Sequence, residues 1–356
     1  MSLFKDMLNS GESLFKNELA LDFSFQPKLM KYREQQQRYI AECIKPLFQN
    51  RNGKNLLIHG IPGIGKTLAC KQITKELEET TDEITPIYIN CWHKNTTFKI
   101  FLEICANLGY TLTQNKNTED LSRIIKEKLN KTSVVLIFDE IDKVEDFDFL
   151  YSILEEIYRK SIIVITNYKN WINNLEERIR SRVMLDSLEF KAYNLQETEG
   201  ILKQRVSYAL VPDVLEEDAF QSILKKTVEL GDIRAGLTLI REATLNAENN
   251  SKKKVTIEDA KKAIEKLDEY NLESSDNLEE DQKFILSIIK KNNDLKMGDL
   301  FKSYQEKGGK SSYRSLFRRV KKLAKENFIT LEKIDGGPDG STTIIRYQKT
   351  KKLSEF

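Results

Sequence analysis

The sequence lacks long apolar runs and has few cysteines, and both absences limit what this chain can be. No run reaches the roughly 18 apolar residues that a membrane-spanning helix needs, and the N-terminus lacks the basic-then-apolar order of a signal peptide. The four cysteines stand at no metal-ligand spacing. Three of them fall in apolar runs, where a reduced and buried thiol is the expected state. We therefore expect a cytoplasmic protein with no membrane partner.

The chain as a whole also lacks a large net charge, but its C-terminal end is basic. The net charge is only +2, whereas residues 281–356 hold 18 Lys and Arg against 9 Asp and Glu. The rest of the chain holds 39 against 46. A basic end on an acidic body is typical of an attached nucleic-acid-binding module, although a solvated surface shows it too. The 356 residues, 40% of them apolar, are expected to form two or three domains.

A glycine-rich stretch between an apolar run and a helical pattern predicts a phosphate-binding loop. The stretch follows Leu56, Leu57 and Ile58 directly and matches the motif G-x-x-x-x-G-K-[ST]. In such a loop the glycines let backbone N–H groups face an anion, the lysine contacts the outer phosphates and the threonine holds Mg²⁺. The residues expected to bind the nucleotide here are Gly60, Gly63, Ile64, Gly65, Lys66 and Thr67.

Polar residues at the ends of two apolar runs predict the chemistry. The run Val134–Phe138 ends in Asp139 and Glu140. Ligands of open α/β sheets lie beyond the carboxyl ends of the strands, so Asp139 is expected to hold Mg²⁺ and Glu140 to polarise the attacking water. Asn167 follows the next apolar run and is expected to reach the γ-phosphate or this water. An Asn in that position is more often only a turn residue.

Three arginines fall within five residues of the segment Leu175–Val183. They are either a solvated surface or a source of positive charge for the nucleotide of an adjacent subunit, where an arginine neutralises charge that develops during phosphoryl transfer. Arg182 is the first choice for that catalytic role and Arg178 the second.

Helical spacing of apolar residues continues from Phe190 to Leu267. This order of elements predicts a small α-helical lid after a parallel α/β base. Gly231–Arg234 opens the third of four expected lid helices, so Arg234 is expected to point toward the γ-phosphate.

The basic C-terminal end has the pattern of a winged helix: three helices and then two strands around a glycine-rich tip. Its third helix, Ser311–Asn327, is expected to enter the major groove. The residues expected to contact DNA are Ser311, Ser312, Arg314 and Ser315 at the start of this helix, Arg318, Arg319 and Lys322 along it, and Gly336 and Gly337 at the tip. Winged helices also bind proteins, so protein docking stays open.

These motifs together resemble the AAA+ ATPases, and specifically the archaeal initiator family related to the origin recognition complex and its helicase-loading partner. The segments that carry the resemblance are Lys31–Gln35, Ile89–Thr96, Phe138–Asp142, Leu175–Arg182 and Gly231–Arg234. The resemblance implies ATP or ADP with Mg²⁺ as cofactors. It also implies that Tyr193 and Arg205 contact the nucleotide from the lid.

The resemblance further implies an ATP-dependent replication initiator. Such a protein binds double-stranded origin DNA and helps to recruit or load an MCM-type replicative helicase, together with paralogous initiators or with itself. ATP binding and slow hydrolysis would act as a conformational switch in a nucleoid-associated protein. The alternative is a signalling or clamp-loader-like ATPase whose winged helix binds a protein.

The expected fold class is α/β, with three domains. An AAA+ P-loop base with a parallel sheet is expected at residues 1–190, which include the N-terminal segment. An α-helical lid follows at 191–270, a linker at 271–280 and a winged-helix DNA-binding domain at 281–356.

Overall fold

A five-stranded parallel sheet organises residues 24–201. The structure is a computed structural model that describes residues 13–276, 280–291, 295–309, 311–325, 329–334 and 342–347. The strands are β1 (Asn55–His59), β2 (Ile84–Asn90), β3 (Ser133–Asp139), β4 (Lys160–Thr166) and β5 (Leu185–Glu189). They lie in the order β2-β3-β4-β1-β5 and all pair in parallel. The predicted parallel α/β base is therefore confirmed.

Helices cover both faces of this sheet. They are α1 (Glu34–Ile44), α2 (Lys66–Thr80), α3 (Thr97–Asn107), α4 (Thr118–Leu129), α5 (Asp148–Glu156) and α6 (Glu177–Val183). Strand β3 shows the two-sided burial best: Val135 and Ile137 pack with α1 and α2, whereas Leu136 and Phe138 pack with α3 to α6. Two-sided burial is the reason for its continuous apolar sequence.

Strand β5 and helix α5 have no counterpart in the sequence-based expectations. Strand β5 has the sequence LDSLE, in which both leucines and the aspartate are half-buried. It pairs only with β1 in the sheet order. An edge strand needs fewer apolar residues, so it leaves a weaker signal. Helix α5 is short and directly follows the loop after the Asp139 strand.

A second unit combines the described residues up to Phe23 with those from Leu202 onward. Its lid helices are α7 (Leu195–Ala209), which starts in the first unit, α8 (Glu217–Leu230), α9 (Ile233–Asn249) and α10 (Ile257–Asp276). The N-terminal segment, grouped above with the base, bonds to this unit instead: Lys16 N donates to Ala209 O at 2.8 Å. Helix α10 continues to Asp276, over part of the range expected to be a linker.

The C-terminal elements have the arrangement of a winged helix. They are α11 (Glu280–Lys291), β6 (Leu295–Lys296), α12 (Met297–Glu306), α13 (Tyr313–Lys325), β7 (Ile329–Ile334) and β8 (Thr342–Tyr347). The strands form an antiparallel sheet in the order β6-β8-β7. Ile285, Leu300, Leu316 and Ile345 meet in its fully buried core. The predicted tip residues Gly336 and Gly337 lie outside the described residues.

No helix in the described part of the chain is long and apolar enough to cross a membrane.

Candidate functional site

The predicted phosphate-binding loop connects β1 to α2 and has the backbone that its glycines allow. The φ angle is +147° at Gly60, +78° at Gly63 and +88° at Gly65. A Cβ atom at Gly60 would stand 2.3 Å from the carbonyl oxygen of Phe190. The loop therefore needs glycine at Gly60 for two reasons, its dihedral angle and the closeness of the neighbouring chain.

Lys66 lies at the centre of this loop. Its Nζ donates hydrogen bonds to Gly60 O at 2.8 Å, to Ile61 O at 2.9 Å and to Asn167 Oδ1 at 2.9 Å. The structure thus brings Asn167, which follows β4, to the loop that follows β1. A lysine ammonium inside a ring of oxygen acceptors, at the start of a helix, suits the outer phosphates of a nucleotide.

Three donors surround the carboxylate of Asp139 at the end of β3. Thr67 Oγ1 donates to Asp139 Oδ2 at 2.6 Å, and the hydroxyl of Tyr88 donates to the same oxygen at 2.7 Å. The backbone N–H of Glu140 donates to Asp139 Oδ1 at 2.9 Å. A hydroxyl next to an oriented carboxylate is the hard oxygen set that Mg²⁺ prefers, so these residues fit the ion.

Glu140 stands next to this pair in a left-handed backbone conformation, with φ of +55°. Such a conformation is uncommon for a residue other than glycine and is concentrated at functional sites. Burial raises the pKa of Glu140 above its ordinary value, and the charges of Asp139 and Asp142 raise it further. A carboxylate that attracts a proton more strongly than usual is a better general base.

Arg33 supports the loop from behind, and the sequence-based site assignment did not include it. This arginine is only 3% exposed. Its Nε donates to Ile64 O at 3.2 Å and its Nη2 to Lys191 O at 2.6 Å, while its guanidinium lies 3.9 Å from the Tyr193 ring centroid. The sequence offered one indication of a role for Arg33, its place in the segment Lys31–Gln35. An arginine before a helix does not by itself indicate burial.

Tyr193 is brought close to the last glycine of the loop. Its hydroxyl stands 3.1 Å from the position that a Cβ atom on Gly65 would take. Burial raises the pKa of Tyr193, so the phenol is neutral. The predicted contact between Tyr193 and nucleotide remains a prediction, now with a side chain in place to make it.

Arg178 and Arg182 lie on helix α6 and are about half-exposed. Arg182 pairs with Glu155, and Arg178 pairs with Glu176 at 2.6 Å and with Asp148 at 3.1 Å. Both guanidinium groups lie over the ring of Tyr151, at 5.4 and 5.2 Å. The two arginines are thus held in place at a surface that solvent reaches.

Arg205 and Arg234 belong to the second unit. Buried Arg205 donates through Nη2 to the carbonyl oxygen of Asp22, and burial lowers the pKa of Arg205 to about 10. Arg234 forms a bidentate pair with Asp232, the residue that caps helix α9, with Nη2 to Oδ2 at 2.7 Å. Their predicted nucleotide contacts remain predictions.

Helix α13 presents part of its predicted DNA-binding set to solvent. Exposed members are Ser312, Arg314, Arg318 and Lys322. The half-buried Arg319 instead forms an ion pair with Asp281 at 2.7 Å and donates to Ser311. Ser315 is also half-buried. The structure therefore separates an outward basic group from an inward pair, Arg319 and Ser311, that ties α13 to α11.

Comparison with protein families agrees with this division of the chain. A model of an AAA domain matches residues 49–168, which contain the phosphate-binding loop, Asp139, Glu140 and Asn167. A model of a Cdc6 AAA+ ATPase-type lid domain matches residues 199–265. The first model covers strands β1 to β4 with the loop, and the second covers most of the lid helices.

Curated relatives match almost the whole chain. ORC1-type DNA replication protein 1 of Sulfurisphaera tokodaii is 29% identical over 371 residues, which span 97% of this chain and 91% of that protein. ORC1-type DNA replication protein 2 of Methanosarcina mazei is 28% identical over 370 residues, spanning 98% and 96%.

A solved structure shows the same fold. The ORC1 protein of Aeropyrum pernix in complex with DNA matches with a TM-score of 0.69 at 22% identity, over 96% of each chain.

Proposed function

Because this chain belongs to the AAA+ proteins of the ORC1 and Cdc6 type, we propose that it is an ATP-dependent initiator of DNA replication. The initiator binds duplex DNA at an origin and helps to recruit or load the replicative helicase. One observation carries the proposal: a single chain joins the Lys66, Asp139 and Glu140 cluster to a winged helix that exposes Arg314, Arg318 and Lys322. The relatives do not favour the signalling or clamp-loader-like alternative.

Each residue of the candidate site has its own role in ATP hydrolysis. Lys66 binds the outer phosphates, and Asn167 orients the γ-phosphate or the attacking water. Glu140 accepts a proton from that water, for which its raised pKa suits it. A bound Mg²⁺ ion, held by Thr67 and Asp139, would neutralise charge on the phosphate oxygens.

Slow hydrolysis makes the nucleotide a switch rather than a source of work. Under this proposal an adjacent copy or a paralogue supplies Arg182, which is half-exposed as such a role requires. Tyr193, Arg205 and Arg234 complete nucleotide recognition. An MCM-type helicase is the proposed downstream partner, and the protein associates with the nucleoid.

Two variants test the nucleotide site in the full chain. Lys66→Ala should lose ATP binding because the ammonium is removed from the loop. Glu140→Gln should keep ATP binding and lose turnover, because the amide cannot accept the proton. Binding is measured with a fluorescent ATP analogue and turnover by phosphate release. Normal turnover in either variant would contradict the assigned roles.

A double substitution tests the DNA interface. Arg314→Ala with Arg318→Ala should weaken duplex binding and lower the slope of log K against log salt by about 1 to 2, because two phosphate contacts are lost. The matched control is Lys261→Ala with Lys262→Ala, which removes two exposed charges from lid helix α10. Fluorescence anisotropy with a labelled duplex at several salt concentrations measures both. Equal losses in the two double variants would show a net-charge effect and would refute recognition by α13.

A further inference from the structure

A tyrosine hydroxyl contacts the carboxylate that the proposed function assigns to the metal. Tyr88 lies on β2 and Asp139 ends β3, and the register pairs Ile89 with Phe138 and Asn90 with Asp139. The Tyr88 hydroxyl donates to Asp139 Oδ2 at 2.7 Å. Thr67 donates to the same oxygen. Two hydroxyl groups, one from α2 and one from β2, thus converge on one carboxylate oxygen.

The surroundings hold the phenol ring in place. Tyr88 packs against the buried cluster beneath α2, which includes Cys70 and Ile137. Lys71 Nζ lies 4.9 Å from the ring centroid. The hydroxyl of a tyrosine ordinarily loses its proton only at about pH 10, so the group is a neutral donor at physiological pH. A neutral donor orients a carboxylate without cancelling its negative charge.

The two hydroxyls differ in what they can do. Thr67 is the residue that the phosphate-loop motif assigns to a metal ion, which it would bind through a lone pair of the same oxygen that donates to Asp139. Tyr88 comes from a different strand and is not part of that motif. Its bond would orient Asp139 without taking part in metal ligation. Hydrogen-bond partners of this kind, one step removed from the ion, commonly change metal affinity by about 10- to 100-fold.

We propose that Tyr88 is a positioning residue, which orients Asp139 for the Mg²⁺ of a bound Mg–nucleotide complex. This inference rests on the proposed nucleotide site. It assigns to Tyr88 a role in metal affinity rather than in nucleotide affinity or in folding.

Tyr88→Phe removes the hydroxyl alone and tests the assignment. The wild-type chain and the variant are titrated with Mg²⁺ at a fixed concentration of fluorescent ADP, and binding is also measured in EDTA. The Mg²⁺ concentration that gives half of the Mg²⁺-dependent change in ADP binding should be higher in the variant by about tenfold or more. ADP binding in EDTA should equal that of the wild type. The matched control is Tyr39→Phe, because the Tyr39 hydroxyl donates to Asp186 at 3.3 Å and lies in the same cluster.

Each other outcome has a definite meaning. An unchanged Mg²⁺ midpoint in Tyr88→Phe would overturn the inference. So would an unfolded variant, because the hydroxyl would then serve the fold. In an Asp139→Asn background the added Tyr88→Phe change should shift the midpoint less than twofold, and a tenfold shift there would also overturn it. Failure of the wild-type chain to bind ADP at all would refute the nucleotide site itself.

Discussion

Replacing Arg33 with methionine tests how the nucleotide loop is held. Methionine keeps most of the aliphatic volume and removes the guanidinium, which leaves Ile64 O and Lys191 O without this donor. A buried acceptor without a partner costs about 1 to 3 kcal/mol. The desolvation cost of the buried cation disappears at the same time and offsets part of that loss. We expect a net loss of about 2 to 4 kcal/mol in the free energy of unfolding.

This loss should appear both in stability and in binding. For a domain of this size it corresponds to a fall in Tm of roughly 5 to 15 °C. The loop carbonyl of Ile64 loses its anchor and Tyr193 loses the cation that lies over its ring, so the affinity for ADP should fall about tenfold or more. Thermal unfolding monitored by circular dichroism gives the Tm, and titration calorimetry with ADP gives the affinity.

A second arginine separates the two effects. Arg159 also donates to backbone carbonyls, those of Asn130 and Lys131, but it directly precedes β4, at the amino end of the parallel strands, whereas the loop follows the carboxyl end of β1. Arg159→Met should lower Tm without changing ADP affinity. The reasoning would be refuted if Arg33→Met bound ADP as tightly as the wild type. It would also be refuted if both variants lost affinity equally.

Three further predictions concern the same unit. Gly60→Ala should lower the free energy of unfolding, measured with urea, by about 3 kcal/mol or more, because backbone strain and a clash with Phe190 O add together. The control Gly109→Ala, where φ is +70° and the space is open, should lower it by about 1 kcal/mol. Glu140→Gln should raise the free energy of unfolding at pH values above the raised pKa of Glu140, because burial of the charged carboxylate destabilises the wild type there. This gain should vanish as the pH falls below the ordinary pKa of a glutamate, and a gain that grows toward acid pH would contradict the burial argument. Arg182→Ala should lower ATP turnover by about 10³-fold or more without changing ATP binding, and mixing with a Lys66→Ala protein that retains Arg182 should restore part of the turnover if the arginine acts on a neighbouring copy.

Much of the fold follows from local sequence. The uninterrupted apolar runs at β1, β3 and β4 require strands that are buried on both faces. The helical spacing and the segment Gly231–Arg234, which opens the third lid helix, place the lid helices. The glycines and Lys66 identify the loop because only that backbone and that charge suit a phosphate. These features concern neighbours along the chain, so one sequence is enough to predict them.

Other features depend on which elements lie side by side. The half-polar strand β5 joins the sheet only because β1 offers it an edge. Arg33 reaches Ile64 and Lys191, 31 and 158 residues away in sequence. Arg319 on α13 pairs with Asp281 on α11, and its contact with phosphate remains a prediction. Nothing in the spacing of these residues indicates the pairings.

The sequence by itself therefore determined the chemistry that this chain carries: a phosphate-binding loop, two acidic residues after a strand and a basic helix. The tertiary structure alone decided which groups orient those residues, namely Arg33 behind the loop and Tyr88 beside Asp139. The physical reason is that the spacing of apolar residues and the turn residues indicate burial and backbone conformation within a single helix, strand or turn. They do not indicate which elements lie next to each other. A hydrogen bond between strands exists only once the order of the sheet has brought its donor and acceptor together.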